Sequence, residues 1–221
     1  MTTILIARHG ESDWNREHRW QGQADRPLTE RGREQAQTLA ERLAHMELDA
    51  VYSSDLRRAF DTANAVAEKQ GLDVQVTEEL REVDVGSWSG LTQEEAEERF
   101  PDGFRRWRAG FPGWDDGETY EEMTDRVLPA VERIAREHGG GRLLVVSHGG
   151  PIRALHAAAL GLDVHAYRRL RPVEPNARLS AVCFVDGRLT ELCAAGEIDD
   201  LIARDQRERR EAAARPPTPA G

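Results

Sequence analysis

The sequence predicts an α/β domain: a three-layer α/β/α sandwich around a mostly parallel mixed sheet, with a helical lid inserted in it. Three observations point there. Short runs rich in β-branched residues alternate with segments of helical period, as in three-layer domains. Two of those runs, Thr2–Ala7 (TTILIA) and Arg142–Ser147 (RLLVVS), are nearly continuous in apolar residues, the pattern of strands buried on both faces. A segment rich in aromatic residues and glycine, residues 88–117, breaks the alternation once.

Taken in order, Thr2–Ala7 is the first strand and stops at Arg8-His9-Gly10. Leu28, Ala36, Leu39, Ala40 and Leu43 recur at helical spacing, which predicts a helix over Thr29–His45 with Thr29 and Gly32 at its entry. Asp49–Ser53 is the second strand. A helix over Asp55–Gln70 follows, closed by Gly71; Ser53-Ser54-Asp55 is its capping candidate, which would turn its first amides toward a ligand crevice. Val74–Val76 is a third strand. In residues 88–117, Pro101, Gly103, Gly110, Pro112, Gly113 and Gly117 punctuate short helical pieces. Tyr120–His138 returns to helix, and Pro129 predicts a kink or a late first turn there. Gly139-Gly140-Gly141 leads into Arg142–Ser147, and a helix over Pro151–Leu160 carries its proline in the first turn. Ala177–Val185 and Arg188–Ala195 read as an antiparallel pair around Asp186-Gly187. Residues 1–203 are expected to form the domain. Residues 204–221 (RDQRERREAAARPPTPAG) are expected to be a fraying helix and a disordered end.

The chain has 221 residues with 30 basic and 40 acidic side chains, a formal net charge of −10. Such a balance argues against the broad basic field that nucleic acid or an anionic membrane requires, so neither is an expected partner. An anionic substrate must instead be caught by a few placed arginines. The start, MTTILIARHGES, lacks a basic segment followed by an apolar one, and no 18 apolar residues run together, so the expected setting is the cytoplasm. Cys183 and Cys193 make neither a disulfide framework nor a metal knuckle. With no HExxH and no CxxC, neither a metal nor a cofactor is expected.

His9 and His148 stand just past the two best strands, each followed by glycine (Gly10; Gly149 and Gly150). In open α/β sheets ligands bind in the crevice beyond the strand carboxyl ends, and glycine lets the backbone approach them. Arg8 abuts a buried strand, where an unpaired charge is costly, and Arg57-Arg58 lie at the start of a helix. Guanidinium groups bind phosphate bidentately and stay charged.

Leu5-Ile6-Ala7-Arg8-His9-Gly10-Glu11-Ser12, with Asn15 and Gln21-Gly22, resembles the signature of the histidine phosphatase (phosphoglycerate mutase-like) superfamily. Three further motifs agree in order: Ser53-Ser54-Asp55-Leu56-Arg57-Arg58-Ala59 with Thr62-Ala63, Leu80-Arg81-Glu82 with Gly86, and Val146-Ser147-His148-Gly149-Gly150. Together they span roughly residues 3–185. The resemblance implies that His9 is a nucleophile that becomes phosphohistidine, and that Glu82 is the proton donor. It implies a phosphate pocket of Arg8, Arg58 and His148 supported by Asn15, with Gln21, Gly22 and Gly149 beside it. Arg58 takes the pocket role because it directly precedes Ala59, which leaves Arg57 on the helix surface. Chemically, a neutral imidazole attacks only if its other nitrogen's proton is held, for which a backbone carbonyl suffices. The surrounding cations disfavour protonation of His9 and stabilise the phosphoryl group in flight.

Six of the thirteen aromatic residues fall in the insertion, interleaved with Arg99, Arg105, Arg106 and Arg108. They suggest a lid on which a sugar or apolar leaving group packs, with Arg105 and Arg106 meeting a second anion. Where phosphoglycerate mutases of the family carry Thr-Gly and a lysine, this chain carries Gln21-Gly22 and Gln93. The phosphatase branch is therefore the closer one, and Gln21-Gly22-Gln23 is similar to the actinobacterial glucosyl-3-phosphoglycerate phosphatases within it. The expected activity is metal-independent hydrolysis of small sugar or sugar-acid phosphate esters through a phosphohistidine; the alternatives are a cofactor-dependent phosphoglycerate mutase and a phosphate-binding module without catalysis. A homodimer is a further expectation.

Overall fold

The computed structural model describes residues 1–193 together with Ile198, Asp200, Ile202 and Ala203. Its strands are β1 (Thr2–Arg8), β2 (Ala50–Ser53), β3 (Val74–Val76), β4 (Arg142–Ser147), β5 (Leu179–Val185) and β6 (Arg188–Cys193). They form one sheet in the order β3-β2-β4-β1-β5-β6. The first four run parallel to one another, while β5 and β6 are antiparallel additions at one edge. The helices are α1 (Asp13–Arg16), α2 (Glu30–Leu43), α3 (Arg57–Gln70), α4 (Gln93–Arg99), α5 (Pro101–Arg108), α6 (Tyr120–Glu137), α7 (Gly149–Ala159) and α8 (Val164–Leu170).

Alternation along the central strands sorts the core into two layers. Ile4, Ile6, Leu143 and Val145 pack with α6 and α7 residues such as Val131, Ile134 and Leu155 on one face. Leu5, Ala7, Leu144 and Val146 pack with α2 and α3 residues such as Leu39, Leu43, Ala63 and Val66 on the other. Both faces being covered is why TTILIA and RLLVVS lack polar alternation. The predicted three-layer α/β/α architecture is the observed one. No described helix is long and apolar enough to cross a membrane.

Several local expectations are corrected. The third helix starts at Arg57, with Leu56 at its N-cap and no side-chain cap of its own. Ser54 Oγ instead accepts from the Leu56 amide at 3.3 Å, and Asp25 accepts the Arg57 amide at 2.7 Å. At least one of the first amides expected to face the crevice is thus taken by a neighbouring loop. Helix α7 begins at Gly149, two residues before Pro151, which puts His148 at its N-cap. Helix α6 continues from Tyr120 to Glu137 across Pro129. Helices α1 and α8 were not anticipated; α1 is a single turn held by a capping box between Ser12 and Asn15. The expected extension of β6 to Ala195, and the tail 204–221, lie outside the described residues.

The insertion folds as two short helices. Helix α4 enters through a Thr92–Glu95 capping box, and α5 opens with Pro101 at its first position. Trp88, Phe104 and Trp114 are buried and join the α6–α7 layer of the core. Edge contacts from Trp20 to Trp88 (5.4 Å between ring centroids) and Trp107 (5.1 Å) tie this segment to the loop after β1.

Candidate active site

Adjacency of β1 and β4 brings the two His-Gly steps together. Arg8 pairs in register with Ser147, and the His9 amide donates to the Ser147 carbonyl at 3.0 Å. The His9 and His148 rings then lie 5.1 Å apart, both buried. His9 Nδ1 donates to its neighbour Gly10's carbonyl at 2.7 Å, leaving Nε2 as the nitrogen with a lone pair. Burial, and then the Arg58 and Arg8 cations, hold His9 well below the usual histidine pKa, so its ring is neutral near pH 7. Burial first, then Arg58, does the same to His148, whose two ring nitrogens have no partner among the described protein groups.

Arg58 is 1% exposed. Its Nη1 donates to the Ala24 carbonyl at 2.7 Å and its Nη2 to the Gly22 carbonyl at 2.9 Å. Desolvation lowers it to about 10, which leaves it charged at neutral pH. Gly22 holds φ +51°, and a Cβ there would press on Val85, so glycine is needed where the loop turns its carbonyl to Arg58. Arg57 is exposed, which confirms Arg58 as the inward member of the pair. Arg8 Nη1 donates to the Glu174 carbonyl at 2.7 Å, and its Nε is buried without a partner. Asn15 Oδ1 accepts from the Ser12 amide and from Asn176 Nδ2, each at 3.1 Å, so the Asn15 amide nitrogen is the end left for an anion.

Glu82 follows the single turn Glu78–Leu80 and reaches the N-terminus of α7. Its Oε1 accepts from the Gly150 and Val83 amides, both at 2.9 Å, leaving Oε2 for a proton. A Cβ at Gly150 would strike that Oε1, which is the local reason for glycine there. Arg126 clamps the segment: it donates to the Glu79 and Arg81 carbonyls at 2.8 Å, to the Glu82 carbonyl at 2.9 Å, and to the Glu118 carboxylate. No sequence motif singled out Arg126, because a solvent-facing and an inward arginine of α6 look alike until the Glu79–Glu82 segment is placed.

A cavity of about 330 Å³ opens on these groups. Arg8, His9, Asn15, Gln21, Gly22 and Arg58 line it, as do Glu82 and Gly149; His148, which was expected in the phosphate pocket, is fully buried and is not part of the lining. Gln93, where the mutases' lysine was expected to be replaced, faces the same space with Trp107 and Trp114. Arg105 and Arg106 do not. They pair at the lid surface with Asp102 and Asp115, which corrects the expectation that they meet substrate. Phe104 and Trp107, three residues apart, take the inward face of α5, so helical phase turns residues 105 and 106 outward. The cavity's additional arginines are Arg19, Arg153 and Arg168. Arg153 was legible in principle, being one turn beyond Gly149 on the same face of α7. Among the described residues, no group of three or more His, Cys, Asp or Glu side chains is placed to hold a metal ion.

The family model described as the histidine phosphatase superfamily (branch 1) matches residues 4–194. Phosphoserine phosphatase 1 of Hydrogenobacter thermophilus is 38% identical over 172 residues, 76% of this chain and 80% of that protein. Phosphoglycerate mutase-like protein 4 of Arabidopsis thaliana is 41% identical over 163 residues, 71% of this chain and 70% of its own. Among solved structures, a mycobacterial glucosyl-3-phosphoglycerate phosphatase in complex with VO3 superposes with a TM-score of 0.79 at 32% identity, covering 87% of this chain and 98% of that one. Motif order, strand-end geometry and a match running from the first strand to the last agree, and the chain belongs to the histidine phosphatase superfamily.

Proposed function

We propose that this phosphatase of the histidine phosphatase type hydrolyses small sugar or sugar-acid phosphate esters through a phosphohistidine on His9. The observation that carries the reading is the His9 Nδ1 bond to the Gly10 carbonyl in a ring kept neutral by burial and by Arg8 and Arg58. In the first step the Nε2 lone pair forms the N–P bond as the ester P–O bond breaks, and Glu82 Oε2 passes a proton to the leaving oxygen. In the second, water attacks phosphorus and gives Glu82 its proton; the N–P bond breaks, returning neutral His9 and releasing inorganic phosphate. Arg8, Arg58 and the Asn15 amide, which line the cavity, stabilise the phosphoryl oxygens in both steps. In this reading the protein works in the cytoplasm on a soluble ester.

Brief incubation with a 32P-labelled phosphomonoester and rapid quenching should leave label in an acid-labile, base-stable bond that maps to His9. No label on His9 under turnover would overturn the phosphohistidine route. Feeding 3-phosphoglycerate with bisphosphoglycerate tests the mutase alternative. Release of phosphate with little 2-phosphoglycerate is expected, and faster formation of 2-phosphoglycerate would make the protein a mutase.

A further inference from the structure

Of the three cavity arginines with no role in the chemistry above, Arg19 is paired with Glu17 and Glu95, and two are left. Arg153 projects from α7 on the face that also carries Gly149, and Arg168 comes from α8. Arg153 makes no hydrogen bond or ion pair among the described residues, and its Nε is buried without a partner. Arg168 gives Nη1 to the Gly110 carbonyl at 2.5 Å and stacks over the Tyr120 ring at 4.1 Å, while its Nε is likewise unpartnered. Among the described residues, neither faces a carboxylate at ion-pair distance. Burial lowers the Arg153 pKa, and the positive charge of Arg168 lowers it further; Tyr120 and Glu82 act the other way. A like-charged, half-buried pair without a counter-ion is costly in isolation, and an anion that enters the cavity relieves it.

We infer that Arg153 and Arg168, with the Tyr120 hydroxyl beside them, form a second anion subsite, so that the preferred ester carries a further acidic group on its leaving portion. This inference rests on the phosphate of that ester sitting at Arg8, His9 and Arg58. The phosphate and the second anion are then held by different guanidinium groups within one cavity of about 330 Å³, which suits a small acid phosphate better than a long one. Burial pushes the Tyr120 hydroxyl up to about 12, so it stays protonated and available to donate. The lid segment contributes Gln93, Trp107 and Trp114 to this cavity rather than charge, so selection for an acidic substrate falls to α7 and α8.

Binding to His9→Ala, which cannot turn over, tests the subsite apart from catalysis. Calorimetry would compare 3-phosphoglycerate with glycerol 3-phosphate, and glucose 1,6-bisphosphate with glucose 6-phosphate. In at least one pair the member with the extra anion should bind about tenfold or more tightly, since charge-assisted hydrogen bonds are at stake. Arg153→Gln added to that background should abolish the preference and Arg153→Lys should restore part of it. The pair that responds tells whether a carboxylate or a second phosphate is the natural group. A preference unchanged by Arg153→Gln, or no preference in either pair, overturns the subsite. Preference lost in Arg153→Gln together with no hydrolysis of any ester by the unaltered protein would leave the subsite standing and reject the phosphatase mechanism.

Discussion

Arg58 and Arg105 carry the same guanidinium at two walls of one molecule, and their surroundings differ in every respect. Arg58 is 1% exposed and fastened to the Gly22 and Ala24 carbonyls. The Arg105 side chain is 78% exposed and, among the described residues, pairs only with Asp102 of its own helix. The strand-end wall is made of groups whose positions are set by backbone amides and carbonyls: His9 on Gly10, Glu82 on Gly150, Arg58 on Gly22. The lid wall is made of aromatic rings packed on one another, with its charges turned to solvent. Backbone partners fix a reacting atom in place, whereas ring packing closes a volume and tolerates adjustment. On the proposed mechanism, chemistry belongs to the first wall and enclosure to the second.

The largest effect is expected where that fixed wall supplies the nucleophile. His9→Ala should lower turnover at least ~10³-fold, measured by phosphate release, because no two-step route remains. Near-normal turnover would mean that the strand-end wall is not the chemical one. Next, Glu82→Gln should slow alkyl phosphates by roughly 10²-fold or more while sparing aryl phosphates, whose leaving group departs without a proton. Equal losses on both would give Glu82 a positioning role only.

A smaller effect concerns acid stability. His9, His148 and His156 all titrate below their usual value in the folded protein, with burial the largest cause each time, and His156 falls to about 4. A basic group with a lowered folded pKa binds more protons when unfolded. Its contribution is therefore complete above the unfolded value, about 6.5, and stability is lost as pH falls below it. Each such histidine adds up to about 1.4 kcal/mol per pH unit to that loss. Denaturant unfolding between pH 6.5 and 5.5, a window set by that unfolded value, should show a shallower acid slope in His9→Ala than in the unaltered protein. Identical slopes would mean that His9 is not held neutral by its site. The smallest effect belongs to the lid surface: Arg105→Ala with Arg106→Ala should change unfolding free energy by no more than about 0.5 kcal/mol and leave the Michaelis constant for acidic esters in place. A large rise in that constant would return the lid arginines to the substrate.

Strand ends, glycine steps and helix faces were legible because they depend on residues near one another in the chain. The period of TTILIA and RLLVVS reports burial on two faces, and Thr29 capping Gly32 is a local bond. From these alone the sequence determined that His9, beside Arg8, and His148 stand at strand ends; the choice of Arg58 over Arg57 came from the resemblance of the motif around Ala59. Contacts distant in sequence were decided only by the tertiary structure. The β1–β4 pairing across some 140 residues set the rings of His9 and His148 5.1 Å apart, and the docking of the Glu79–Glu82 segment against α6 and α7 gave Glu82 the Gly150 amide and Arg126 its three carbonyls. The same holds for the choice between Arg105 and Arg153. Both lie on helices near aromatic or glycine residues, yet packing of Phe104 and Trp107 turns the first outward and the pairing of β4 with β1 carries α7, and the second, to the cavity. A charged side chain's role depends on what desolvates it, and desolvation is a property of the assembled layers, not of the sequence window around the residue.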